Sequence, residues 1–551
     1  MTAMSGNYRW PDAATAVGLA IVALAACRCG ASPNVPTATP VPALLGGTPG
    51  PAVRAAGDTG GRPVILYSDL ASAPRGAFVT FWGHELGDDP GAGRILLGEL
   101  PITRVLGWSS SRIEVRLPEE ARSGSVVVQT PRGPSAPFPL RIHDGSLWFV
   151  STTGNDGASG SEAQPFATIR RGLAALRPGD VLYIRGGTYV PPPDPDFRAH
   201  IRLGEIPTGT AERPIAIAGY PGETVVIGDG STQKIFAFDH DRPFEYITIA
   251  KLKLLPACLG METLESRHVR IVANEITGSR SECADGTIAV GGGFDIRILG
   301  NDLHDNGGPK LKSCVYLSGF GDSHDIEVAY NRMSQHGGGR AIQMYGHLPE
   351  DSISNVQIHS NEISEIDRDA ILVGNTDGGN MPIHDILIAN NVVIRSGRCV
   401  GWAVRVDNPL AEGIRIVHNT LVGNGAGDSA CDRSSGEPMA QIGIERARSV
   451  SIENNILVSA GRAGLVQLLD PRAAVHCSHN LYSGRGTPCP REDRPILGAP
   501  AFVDPGARNY GLAPGSPAID GAAQSIVGVD AVGALRPAGS APDVGALERA
   551  P

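Results

Sequence analysis

The chain has 551 residues, a formal net charge of −10, 71 glycines and only 5% aromatic residues. Such a length fits several domains or one long repeat array, and the glycine excess with few aromatics fits turn-rich β structure rather than a helical bundle. The acidic balance, with no basic run, argues against nucleic acid as a partner but leaves open an anionic glycan held in a local basic groove.

Residues 13–26 form an apolar run too short to span a bilayer comfortably, which reads as a signal-peptide core. It ends in Leu24-Ala25-Ala26-Cys27, which resembles a bacterial lipobox. The resemblance implies that residues 1–27 are a signal and that Cys27 is lipidated. The protein would then be extracellular or in the cell envelope, meeting the membrane through its lipid anchor only. Ordinary secretory cleavage nearby is the alternative. Residues 28–61, rich in Pro, Ala, Gly and Thr, read as a disordered linker.

Residues 62–142 alternate short apolar strands with Gly/Pro turns and predict a small all-β sandwich. Gly76-Ala77-Phe78-Val79-Thr80-Phe81-Trp82-Gly83, Leu97-Gly98, Trp108-Ser109 and Thr130-Pro131-Arg132-Gly133 resemble the IPT/TIG immunoglobulin-like domain. That likeness implies a spacer or interaction module.

Residues 147–551 read as one solenoid. Phe166, Ile169, Leu173 and Leu176 fall at helical spacing, so a helix over 166–176 is expected to cover the raw strand edge of the first coil. The surrounding run, GNDG…PFATI…GLAALRPGDVLYIRGGTY, resembles the N-terminal cap of the pectate-lyase-like β-helix superfamily, which implies the fold and not the reaction.

One phrase then repeats, apolar-x-apolar-x-x-Asn-x-apolar. Its asparagines are Asn274, Asn301, Asn331, Asn361, Asn391, Asn419, Asn455 and Asn480, spaced by 27, 30, 30, 30, 28, 36 and 25 residues. A period in this range marks a solenoid. The period-two alternation of β-branched residues and the absence of intervening helices predict a right-handed parallel β-helix. The asparagines then form an internal ladder, in which each amide is satisfied by its neighbours above and below. Leu252 stands where the first rung would be. Residues 481–551 resemble the endings of bacterial β-helix proteins, which implies a C-terminal cap. The fold class expected is therefore all-β: a parallel β-helix preceded by an immunoglobulin-like sandwich.

With Cys27 set aside, eight of the nine cysteines remain in an exported chain, where disulfides are allowed. Stacked loops would bring Cys258 near Cys283 and Cys399 near Cys431. Cys477 reads either as a buried thiol or as bridged to Cys489.

The second strand of each repeat exposes a row, Glu262, Ala289, Tyr316, Gln343, Leu372, Arg405, Gly443 and Gln467. The middle coils add charged loop residues of both signs. β-Elimination on a uronate needs a cation on the carboxylate, a base for the adjacent C–H and an acid for the leaving oxygen. Arg340 and Arg405 are the candidate neutralisers, Lys312 or His336 the base and Tyr345 the acid. Tyr316, Gln343, Asp369, Asp407 and Glu445 are candidate substrate contacts. For any one of them the blander reading is a solvated loop charge or strand-surface residue. Alginate and chondroitin lyases of the superfamily place a Lys and an Arg on adjacent coils, whereas Lys312 and Arg340 precede their strands. Acidic turns at Asp194, Asp196, Asp229, Asp239 and Asp241 could hold calcium.

The leading expectation is a monomeric, surface-anchored protein acting on an acidic polysaccharide as a lyase or epimerase-like enzyme. The alternatives are a non-catalytic glycan-binding or adhesion protein, and a glycoside hydrolase using Asp369 and Asp407.

Overall fold

The computed structural model describes residues 61–89, 91, 93–237, 244–280, 286–309, 311–376, 380–427 and 439–550. Among these, three long parallel sheets run along a right-handed β-helix. Sheet 1 has twelve strands, from Leu147–Val150 to Ala474–Ser478, and sheet 2 has twelve, from Gly187–Tyr189 to Ile496–Leu497. Sheet 3 has ten, from Ala199–Arg202 to Gly464–Leu468. One coil supplies one strand to each sheet, as in Arg267–Val272, Glu275–Thr277 and Gly286–Gly291.

The apolar columns of the repeat stack in register. Val269, Ile296, Ile326, Val356, Ile386, Ile414 and Val450 pair along sheet 1 and point into a single continuous core. The turn from sheet 1 to sheet 2 is set by left-handed residues. Ala273, Gly300, Tyr330, Ser360, Asn390, His418, Asn454 and His479 have φ between 51° and 63°, each just before a repeat asparagine. That bend aims the asparagine inward. From Asn274 to Asn480 each Nδ2 donates to the next Oδ1 at 2.9–3.0 Å. The backbone N–H of each donates to the same oxygen at 2.8–3.1 Å. Leu252 N–H binds the first rung, and Glu492 Oε1 accepts from the last at 2.9 Å.

A helix over Ile169–Ala175 covers the first coil. Thr168 caps it by accepting from Arg171 N–H, and Ile169 and Leu173 bury against the end of the core. Phe166, expected to be helical, instead bridges Val150.

Residues 64–143 form a two-sheet sandwich. It does not stand off as a spacer, because it is seated on the outer face of sheet 1. Tyr183 Oη donates to Phe78 O at 2.7 Å and accepts from Phe78 N–H at 2.9 Å. Tyr67 stacks on Trp82 and on Tyr330. Buried Asp69 meets Lys251 Nζ at 2.7 Å, an ion-pair contact outside hydrogen-bonding alignment for that oxygen.

Only the first part of residues 481–551 closes the last coil, through Ile496-Leu497 pairing with Leu481-Tyr482 and the Cys477–Cys489 disulfide. The rest runs back along the flank instead of capping the end. Ala546 N–H donates to Thr420 Oγ1, Asn390 Nδ2 donates to Val529 O, and Arg508 pairs with Glu362 and Glu365. The outer column of sheet 2 changes character to receive it. It reads Glu275, Asp302, Arg332, Glu362 and then Val392, Thr420, Ile456, Leu481. The apolar half packs under the returning chain.

Candidate functional site

The row read from the sequence is continuous in the structure. Glu262, Ala289, Tyr316, Gln343, Leu372, Arg405, Gly443 and Gln467 are direct register partners on successive strands of sheet 3. Period-two alternation turns them away from the inward Ile and Val residues, but the row is not the exposed one expected: only Arg405 and Gln467 are half-buried, and the other six are buried.

Charge gathers around Arg405. Its Nη2 donates to Glu445 Oε2 at 2.7 Å and lies 3.5 Å from Asp407 Oδ2, while Nη1 lies 3.8 Å from Asp369 Oδ2. Asp407 also accepts from Arg446 Nε at 2.6 Å. Trp402 forms the floor, with its ring 4.9 Å from the Arg405 guanidinium, its N–H on Asp369 and its indole N–H on Gln467. Gly443 is required here, because a Cβ at that position would collide with the Trp402 indole. Gly374 plays the same part for Tyr345, whose ring would lie 2.9 Å from a Cβ there.

Burial alone would depress the Arg405 guanidinium, but Asp369, Glu445 and Asp407 raise it above its ordinary value. The Glu445 carboxyl is raised, first by burial and then by neighbouring Asp407, against the pull of Arg405. The site therefore sets a fixed cation beside a carboxyl held above its ordinary pKa. Solvent reaches the side chains of Arg405, Asp407 and Glu445 at 17%, 21% and 20%, enough for a ligand to touch them.

Other candidates lie deeper. Arg340 is nearly buried, donating to Asp369 Oδ2 at 3.0 Å and to Gln343 Oε1 at 2.9 Å, so it braces the cluster from below and does not face a ligand. Asp369, Gln343 and Tyr316 are likewise buried, and the Tyr316 hydroxyl lies 3.3 Å from His347 Nε2.

The two candidate bases are displaced by burial. Lys312 is fully buried and donates to Cys258 O at 2.6 Å, two coils away. His336 follows left-handed Gln335 (φ 53°) and so turns inward, in the column that Asn306 occupies on the preceding coil. Burial, with Lys312 nearby, lowers its pKa to about 4. Neither side chain reaches the outer face.

His347, Trp402 and Arg446 were missed by sequence reasoning. The glycines opposite the two large side chains were the available signal for Trp402. Cys258 and Cys399 are disulfide-bonded, while their expected partners Cys283 and Cys431 lie outside the described residues, as does Cys27. Asp194 and Asp229 accept from backbone N–H groups of their own turns, and Asp239 and Asp241 lie outside the described residues. Among the described residues no group of three or more His, Cys, Asp or Glu side chains could hold a metal ion.

No protein-family profile matches the chain. Pectate lyase PEL9 of Emericella nidulans is 33% identical over 79 residues, which are 14% of this chain and 17% of the relative's length. Among solved structures, pectate lyase Pel9A superposes with a TM-score of 0.46 at 15% identity, covering 73% of this chain and 96% of that one. The Family 28 exopolygalacturonase of Yersinia enterocolitica superposes with a TM-score of 0.32 at 10% identity, covering 80% and 97%.

Proposed function

We propose that the protein is carbohydrate-active and works on an acidic polysaccharide at the partly open Arg405, Asp407 and Glu445 cluster on sheet 3. The observation that carries this reading is the Arg405 guanidinium, partly open to solvent and 2.7–3.8 Å from three carboxyl groups, of which Glu445 is held above its ordinary pKa. A uronate carboxylate can replace that of Glu445 on Arg405 without changing the charge balance, provided Glu445 is protonated.

The chemistry that follows is elimination or epimerisation. Arg405 acidifies the C–H beside the uronate carboxylate, and the base is a group on the face, with Asp407 the adjacent carboxylate. In elimination the C–H proton leaves to the base, a double bond forms, and the C–O bond to the next sugar breaks. The departing oxygen takes a proton from Tyr345 or from protonated Glu445. The same Asp407–Glu445 pair favours a second reading, glycoside hydrolysis, in which a protonated carboxyl works beside a second carboxyl. A third, binding without cleavage, uses the same face.

Export with a lipid anchor at Cys27, an IPT/TIG identity for the sandwich, a monomeric state and calcium dependence belong to the same proposal. Loss of labelled fatty acid in Cys27→Ala tests the anchor. Incubation with pectate, alginate and glycosaminoglycans, with and without calcium, separates the chemistries. Unsaturated uronates mean elimination, new reducing ends without unsaturation mean hydrolysis, and inverted uronates without cleavage mean epimerisation. Saturable binding with none of these leaves a binding protein, and no interaction with any acidic polysaccharide overturns the reading.

A further inference from the structure

A cleft of about 380 Å³ lies where the sandwich meets sheet 1, away from sheet 3. Its walls include Tyr246, His268, Asp295, Arg141, Arg270 and Arg297. Tyr246 and His268 stack at 4.1 Å with ring planes 13° apart. The strip continues outward through Phe294, edge-on to His268, and His324, stacked on Phe294 at 4.9 Å. All four residues are half-buried, and the Arg267 guanidinium lies 5.1 Å from the Phe294 ring centre.

The backbone carries a second observation. Tyr246, His268, Asp295, Asp325, Asn355, Asp385 and Gly413 form a column of left-handed residues at the entry to sheet 1, with φ between 49° and 66°. Most coils use Asp, Asn or Gly there, the types that tolerate this conformation. Tyr is a poor choice on backbone grounds, and a strained residue kept at a cleft points to use of its side chain.

The charge is cationic. Arg270 Nη2 donates to Ser68 O at 2.9 Å, while its Nε is buried without a hydrogen-bond partner. Burial, with Arg297 beside it, lowers the Arg270 pKa to about 10. Arg141 stands on the sandwich wall, its Nε 3.3 Å from Ser72 Oγ and its Nη2 donating to Ala211 O across the cleft, which leaves Nη1 toward a ligand. Arg297 is matched by Asp295 and Glu327, leaving Arg141 and Arg270 in excess.

We infer that this cleft is a binding site for an acidic saccharide, separate from the sheet 3 site, with a sugar ring on the Tyr246–His268 stack and its anionic group toward Arg141 and Arg270. Ring C–H groups meet the electron-rich aromatic face, and the arginines supply donors for a carboxylate or sulfate. The choice of ligand rests on these residues and not on sheet 3.

Calorimetric titration of oligogalacturonate and heparin-derived oligosaccharide, with a neutral cello-oligosaccharide as control, tests it in the full chain carrying Arg405→Ala. That background removes the central cation of sheet 3. Tyr246→Asn suits the left-handed backbone, so its melting temperature should hold or rise while affinity for the acidic probe falls tenfold or more. Arg141→Gln should weaken the acidic probe by a similar factor. Binding that ignores both variants, equal binding of the neutral control, or no binding of either acidic probe at millimolar concentration overturns the inference.

Discussion

Arg405 Nη2 donates to Glu445 Oε2 at 2.7 Å, and the same nitrogen lies 3.5 Å from Asp407 Oδ2. Glu445 and Asp407 thus crowd one guanidinium, although Asp407 also accepts from Arg446 Nε at 2.6 Å. An incoming uronate makes a third competitor, and the group whose pKa is raised yields. Binding should therefore take up a proton, and affinity should fall as pH rises. Calorimetry in buffers of different ionisation enthalpy should register this uptake at neutral pH. Glu445→Gln should remove most of it and flatten the pH dependence.

His336 gives a stability prediction of opposite sign. Its folded pKa is lowered to about 4, so the unfolded chain binds more protons between that value and the ordinary histidine value near 6.5. The stability it leaves intact above pH 6.5 is lost as pH falls toward 4, by up to about 3 kcal/mol. His336→Asn, which copies Asn306 one coil earlier, should lessen the loss. Denaturant unfolding at pH 7 and pH 4.5 checks it.

In the ladder, Asn361→Leu would orphan the Asn331 N–H and one of the two Nδ2 hydrogens, the other staying on Ile298 O, all buried. The expected cost is about 2–4 kcal/mol, because each unmet buried donor costs about 1–3 kcal/mol. Asn274→Leu orphans only the Leu252 N–H and should cost less. Paired chemical denaturation of the two variants gives the comparison.

Lys251→Met should loosen the sandwich from the solenoid, since it leaves Asp69 buried without its cation. The expected penalty is about 3 kcal/mol, the usual scale for breaking one side of a buried pair. Limited proteolysis should release the sandwich faster in the variant, with the solenoid core still resistant.

The outer row of sheet 3 was legible because strand alternation has a period of two and every coil repeats it. The inward turn of Lys312 and His336 was not, because they lie at bends where the alternation resets. A left-handed residue such as Gln335 makes the next side chain point in, whatever its polarity. The seats of the sandwich and the returning C-terminal chain were written in the second x of the repeat phrase. That position is Val272, Leu299 and Ala329 under the sandwich, and Ala389 and Val417 under Val527. It is His359, Glu453 and Ser478 on coils outside those two apolar contacts. A half-buried strand tolerates either type, so only a contacting partner gives the change its meaning.

The account stands most directly on Arg405. Release of unsaturated uronates from an acidic polysaccharide, compared between the wild-type chain and Arg405→Ala, tests it. The account predicts product from the wild type and a loss of at least a hundredfold in the variant, assayed at a temperature where the variant is shown to be folded. Undiminished product release by Arg405→Ala would contradict it.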